Sequence, residues 1–267
     1  MAEARIAVIG GSGLYRFLVA TETLALSTPH GEPSGPITIA EAGGEAVAFL
    51  PRHGPQHTIP PHAINYRANL FALHSLGVQR VLAPAAVGSL RPQMAPGHLV
   101  ICDQFIDRTW GRLSTFYDGP VVAHVSVADP YCEELRPLAA AAAAATGFTA
   151  HERGTVLVTQ GPRFGTRAEA RFHRDVGADV LNMTQYPEVV LARELGMCYV
   201  NLSLVTDYDA GIEAVPDAAP VSQEEVLRVF GENVERLRTA LVRLIETIPL
   251  QRACHCIERG ARPMQPS

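Results

Sequence analysis

The 267-residue sequence has no surplus of positive charge: Lys and Arg total 22 against 27 Asp and Glu, a formal net charge of -5. Without a basic field to gather phosphodiester backbone, composition argues against a nucleic-acid partner. Long apolar runs are missing as well. No segment reaches the roughly 18 apolar residues of a membrane span, and the opening MAEARIAVIGGSGLY has no basic stretch followed by a long apolar one. A cytoplasmic protein that stays off the membrane is the expectation. Cysteines are few and odd in number, 5 in all, so with no secretory signal the thiols are expected to be reduced. Cys254-His255-Cys256 could hold a metal or a redox bond, but no second ligand pair is near it in sequence, and an exposed tail is the simpler reading. No abrupt change of composition divides the chain, which leaves one domain over residues 1–250. A C-terminal tail, 251–267, is expected to be poorly ordered.

What is present is a succession of short apolar, β-branched runs. Arg5 to Ile9 ends in Gly10-Gly11-Ser12-Gly13, a buried strand entering a glycine turn. Similar runs begin at Ile37, Ala46, Arg80, His98, Gly154, Ala178 and Met197. Helical spacing appears between them, from Ile64 to Gly77 and in the alanine-rich stretch from Cys132 to Gly147. The clearest helix starts at Ser222, where Ser222 and Glu225 form a predicted capping box ahead of a stripe from Val226 to Ile245. Strands alternating with helices, several of the strands wholly apolar, predict an α/β fold with a largely buried sheet.

Three clusters could carry chemistry. The glycine turn after the first strand is not a dinucleotide fingerprint, because G-x-G-x-x-G would need glycine where Arg16 stands. Its backbone N–H groups and the Ser12 hydroxyl could still hold one phosphate. In RHGPQH, residues 52–57, His53 and His57 are four apart, but Gly54 and Pro55 preclude the helix that would align them on a metal. Arg52 with His53 suits an anion better. In LVTDYDAG, Asp207 and Asp209 alternate around Tyr208, and in extended geometry both carboxylates share a face, where one pKa should rise. The alternative is a strand-end turn in which the acids cap backbone N–H groups.

The motifs IGGSGLY, FLPRHGPQHTIPPHAINYRAN, AVGSL, DQFIDRT, FYDG, QGPRFGTRAE, NMTQYPEVVLARE and TDYDAG follow one another in an order that resembles the methylthioadenosine phosphorylase subfamily of the trimeric purine nucleoside phosphorylases. The resemblance implies a single α/β domain with a central mixed, partly barrel-like sheet flanked by helices. It further implies a homotrimer, no metal or organic cofactor, and a pentosyl transfer in purine salvage in which phosphate cleaves a purine nucleoside to free base and a (5-substituted) ribose 1-phosphate. Ser12, Arg52, His53, Thr184 and the Ala86 backbone N–H match phosphate-binding positions. Met183 matches the residue under the ribose and Phe164 one beside the base. Asp207 and Asp209 match the pair that reads the purine, Asp207 as the acid toward N7, and His124 matches a histidine supplied by the neighbouring subunit near the 5′ group.

Two departures bear on specificity. Ala85 stands where the related enzymes carry a phosphate-binding threonine. At the 5′ pocket, Gln223 replaces a valine and Gly165 a serine or threonine. A polar Gln223 suits a 5′-hydroxyl better than a methylthio group, so the expectation is an adenosine-type phosphorylase with relaxed 5′ choice. A strict S-methyl-5′-thioadenosine phosphorylase is the alternative.

Overall fold

The computed structural model describes residues 4–11, 14, 20–212, 215 and 219–263. Its centre is Arg80–Ser89 (β5), a ten-residue strand with three partners. Ile6–Gly10 (β1), wholly buried, runs parallel to the start of β5 and, on its other edge, to Glu45–Pro51 (β4). Antiparallel pairing then adds Ile37–Ala42 (β3) and Ala20–Leu24 (β2). At the far end of β5, Val180–Asn182 (β10) pairs antiparallel and leads to the parallel strands Thr155–Thr159 (β9) and Gln104–Arg108 (β7). The opposite edge of β5 takes Cys198–Asp207 (β11), parallel along its length, and β11 passes on to Leu99–Val100 (β6) and Ala150–His151 (β8). The result is the mixed sheet expected of an α/β domain, and it branches at β5.

Because β1 pairs with Arg80–Leu82 and β10 with Gly88–Ser89, neither covers the middle of that β5 edge. Pro84 sits there, with its carbonyl turned to Arg52 Nη1 at 3.1 Å. In an extended strand a residue's N–H and C=O face the same edge. The N–H that proline lacks would therefore have faced the gap, which is how a central strand accommodates this residue.

Tyr66–Ser75 (α1) and Gln185–Glu194 (α4) pack on one face of the sheet, Leu135–Ala145 (α2) and Gln223–Thr247 (α5) on the other. Helix α4 and Arg167–Asp175 (α3) were not anticipated. The signal for α3 was available, since Thr166 and Glu169 make a complete capping box. At α5 only half of the predicted box forms: Ser222 accepts from the Glu225 N–H at 3.1 Å, while the Glu225 carboxylate turns to Arg228. The run from His98 is two strands, β6 and β7, because each belongs to a different branch of the sheet.

The C-terminal segment also differs from expectation, being packed against the domain as far as Ala261. Ala261 N–H donates to the Glu194 carbonyl, Arg252 to that of Gly196, and Gly260 lies so close to Gly196 that a Cβ would sit 3.1 Å from its Cα. Cys254 and Cys256 are buried against the layer formed by α2, α5 and β11. No helix among the described residues is long and apolar enough to cross a membrane. Ending the chain after Leu250 should therefore cost roughly 2–4 kcal/mol, measured by urea unfolding; an unchanged midpoint would contradict this packing.

Candidate active site

Strands β1, β4, β5 and β11 run parallel, so their C-terminal ends gather on one side, where ligands of open α/β sheets are bound. Gly10 stands opposite Pro51, which places the glycine turn beside Arg52. Asp207 stands opposite Gly88 across an irregularity in the β11 ladder, and β10 delivers Asn182, Met183 and Thr184 to the same region. Topology thus unites the clusters that lie far apart in sequence. Ser12 lies outside the described residues.

Arg52 is the most constrained member. Its side chain is 3% exposed and forms a bidentate pair with Glu188, Nε to Oε2 at 2.8 Å and Nη2 to Oε1 at 2.9 Å. Nη2 also donates to the Ile9 carbonyl and Nη1 to that of Pro84, while Tyr199 donates to Glu188 Oε1 at 2.8 Å. The guanidinium expected to face an anion is therefore charge-paired inside the protein, and Glu188 is a site residue that sequence reasoning missed.

His53 is half-buried with Nδ1 2.9 Å from the Ile59 carbonyl. A carbonyl only accepts, so Nδ1 carries the proton and Nε2 the lone pair. Burial, followed by the charge of Arg52, lowers its pKa to about 4. His57, at a left-handed φ of 56°, stacks on this ring with centroids 4.5 Å apart, a supporting role. Across the gap, Asn182 organises the β10 end. Its Oδ1 accepts from the N–H of Thr184 at 2.6 Å and of Gln185 at 2.7 Å, and from the Thr184 hydroxyl at 3.2 Å. Its Nδ2 donates to the Ala86 carbonyl, so the Ala86 N–H faces the same gap. Ala85, one residue earlier, is buried.

The two acids meet by a route other than the one predicted. Asp207 ends β11, and the chain then turns: Asp209 adopts a left-handed φ of 49°, and its N–H donates to Asp207 Oδ1 at 2.7 Å. Asp207 Oδ2 accepts from Thr206 at 2.8 Å. The capping turn and the paired acids are thus one structure. Burial is the main reason both pKa values rise, ahead of any repulsion between the pair. Thr206 and the Asp209 N–H restrain the rise at Asp207, whereas Asp209 is pushed up to about 6. Asp209 Oδ2 is buried without a hydrogen-bond partner among the described residues.

Glycines make room for these groups. A Cβ on Gly88 would lie 2.9 Å from Asp207 Oδ1, and one on Gly161, at φ 63°, 2.6 Å from Met183 Sδ. Gly165 is looser, its notional Cβ 3.6 Å from Asp209 Oδ2, which places it against the acid pair. Phe164, next to it, is 39% exposed. His124 is exposed in an irregular segment, and Gln223, the first residue of α5, is exposed as well.

The family model of the phosphorylase superfamily matches residues 5–246, and the chain belongs to that superfamily, within its methylthioadenosine phosphorylase subfamily. It is 52% identical over 258 residues to the S-methyl-5′-thioadenosine phosphorylase of Thermofilum pendens, a match covering 96% of this chain and 97% of that protein. The purine nucleoside phosphorylase of Streptomyces coelicolor is 50% identical over 264 residues, covering 95% and 93%. The structure of methylthioadenosine phosphorylase from Schistosoma mansoni in complex with adenine aligns with a TM-score of 0.89 at 35% identity, covering 96% of each chain. The sequence-based resemblance holds, and the chain is an enzyme of the pentosyl-transferring class.

Glu188→Ala should cost about 3–5 kcal/mol by leaving Arg52 buried without its counter-charge. A paired Arg52→Met, Glu188→Leu replacement should recover most of that in urea unfolding. Asp209 gives a pH signature. Its pKa is raised from 3.8 to about 6, so the fold holds that proton more tightly than the unfolded chain does. The stability this adds is complete below about pH 4 and is lost as pH rises through about 6. Asp209→Asn should abolish a pH-dependent loss of roughly 3 kcal/mol, and Gly165→Ser, which offers Oδ2 a hydroxyl, should reduce it. Identical pH profiles for parent and variants would sink both expectations.

Proposed function

We propose that the protein cleaves the N-glycosidic bond of S-methyl-5′-thioadenosine with inorganic phosphate, giving adenine and the 5-methylthio ribose 1-phosphate, without a metal or organic cofactor in the reaction. The observation that carries this reading is Asp209 Oδ2, a buried acceptor beside Asp207 that lacks a donor among the described residues. A 6-amino group supplies that donor, whereas a 6-oxo group would set oxygen against carboxyl. The names borne by most of the similar proteins support the thioether substrate over the broader adenosine reading. Exposure of Gln223 removes part of the case for a 5′-hydroxyl.

As the C1′–N9 bond breaks, positive charge grows on the ribose and negative charge on the purine. A phosphate oxygen bonds C1′ from below. Thr184, the Ala86 N–H and Ser12 are assigned to donate to that phosphate and His53 Nε2 to accept from its protonated oxygen, with Arg52 fixing their arrangement and adding positive potential. Asp207 passes its proton to N7 of the departing base while Asp209 accepts from the 6-amino group, and Met183 and Phe164 pack against sugar and base. His124 is assigned to the site of a neighbouring copy in a homotrimer. The exposed side chains of Trp110, Leu113, Val121 and Val122 in the same segment support such a contact.

Base release from methylthioadenosine, adenosine and inosine should require phosphate, and kcat/KM should be at least a hundredfold higher for methylthioadenosine than for inosine. Full activity without phosphate would make the enzyme a hydrolase. Equal rates on adenosine and methylthioadenosine would favour the wider purine nucleoside phosphorylase reading, the name carried by the Streptomyces coelicolor protein. Thr184→Val should raise KM for phosphate roughly tenfold or more with nucleoside KM little changed, and Asp207→Asn should lower kcat by roughly 10²-fold or more.

A further inference from the structure

Cys132, Cys198, Cys254 and Cys256 are all buried, and their sulfurs lie within 4.8 Å of one another, at a place unconnected with the chemistry above. Cys132 precedes α2, Cys198 opens β11, and the other pair comes from the C-terminal segment. Sequence gave only Cys254 and Cys256; the fold brings up the second pair, with Cys198 and Cys254 sulfurs 3.3 Å apart. Bonds of about 2.3 Å from sulfur to a tetrahedral zinc imply sulfur–sulfur edges of about 3.8 Å, within the span observed.

We propose that these four cysteines form a structural zinc site, closed and tetrahedral, that fastens the C-terminal segment to β11 and the start of α2. Four thiolates on Zn²⁺ carry two net negative charges, and a buried dianion needs cations beside it. They are present. Arg80, wholly buried, stands opposite Cys198 in the β5–β11 ladder, and its Nε, Nη1 and Nη2 have no hydrogen-bond partner among the described residues. Its nearest acid, Glu134, is 4.0 Å away. Arg193, 2% exposed, adjoins Glu194, whose carbonyl holds the tail at Ala261, and its Nε and Nη1 are unpartnered in the same sense. Two neutral disulfides would leave these guanidinium groups with no new counter-charge, whereas a tetrathiolate centre supplies it. Zinc binding displaces the thiol protons, so affinity should fall at low pH. Gly260 against Gly196 and Ala261 on Glu194 hold the tail in place on either side of the ligands.

The test is elemental analysis of the full-length protein, purified under reducing conditions and dialysed against zinc and then buffer. One zinc per chain is expected, retained in Cys102→Ser and lost in the Cys254→Ser, Cys256→Ser double variant. Removing the metal should lower Tm while phosphate-dependent base release below the new Tm stays unchanged. Should the double variant fail to fold, X-ray absorption at the zinc edge and the spectrum of the cobalt-substituted wild type report four-sulfur ligation directly. Metal-free wild type after zinc dialysis, whether with four titratable thiols or a mass short by two hydrogens per disulfide, overturns the site, as does zinc retained by the double variant.

Discussion

The Arg52–Glu188 pair is the constraint on which the site's shape depends. It joins the end of β4 to α4 and, through the carbonyls of Ile9 and Pro84 and the hydroxyl of Tyr199, to β1, β5 and β11. Two charges taken from water are tolerated because every face of the fork meets an acceptor. A pair of this kind has one arrangement, so the strand ends that carry the glycine turn, Ala86 and the acids cannot slide relative to one another. Its positive charge, offset by Glu188, still leaves the region between β1 and β10 more favourable to an anion than an apolar wall would be.

The acid pair follows a related logic. Asp207 is fully engaged by Thr206 and the Asp209 N–H, whereas Asp209 keeps one buried oxygen without a donor among the described residues. Gly88 leaves space that a methyl group would take, and Gly165 presents no hydroxyl. The protein tolerates an unfavourable carboxyl where a base-reading group is called for, a cost typical of functional positions.

Much of this was legible in the sequence. The apolar runs located β1, β3, β4, β5, β9 and β11 because burial on both faces leaves a composition that only interior strands have. Arg52 and Asp207 could be named because their motifs sit at strand ends, and Thr184 because its motif resembles that of the related enzymes. Glu188 could not, since a single acid inside an apolar helix gives no sign of the arginine 136 positions away that neutralises it. Strand β2 escaped because four of its five residues are exposed, and α4 because its residues are buried nearly all round and show no amphipathic period. The cysteine cluster was invisible for a topological reason: its members are brought together only by the parallel run of β11 and the return of the tail.

That return sets an order of events in the life of the chain. Every strand of the sheet is encoded before residue 254, so the sheet and the catalytic edge can assemble during synthesis while Cys132 and Cys198 wait on an uncovered wall. The segment carrying Cys254 and Cys256 then arrives as a latch rather than as part of the nucleus. An interruption of translation between β11 and that latch would leave a nascent enzyme with its reactive edge formed and two thiols exposed to whatever oxidant or metal the surroundings hold.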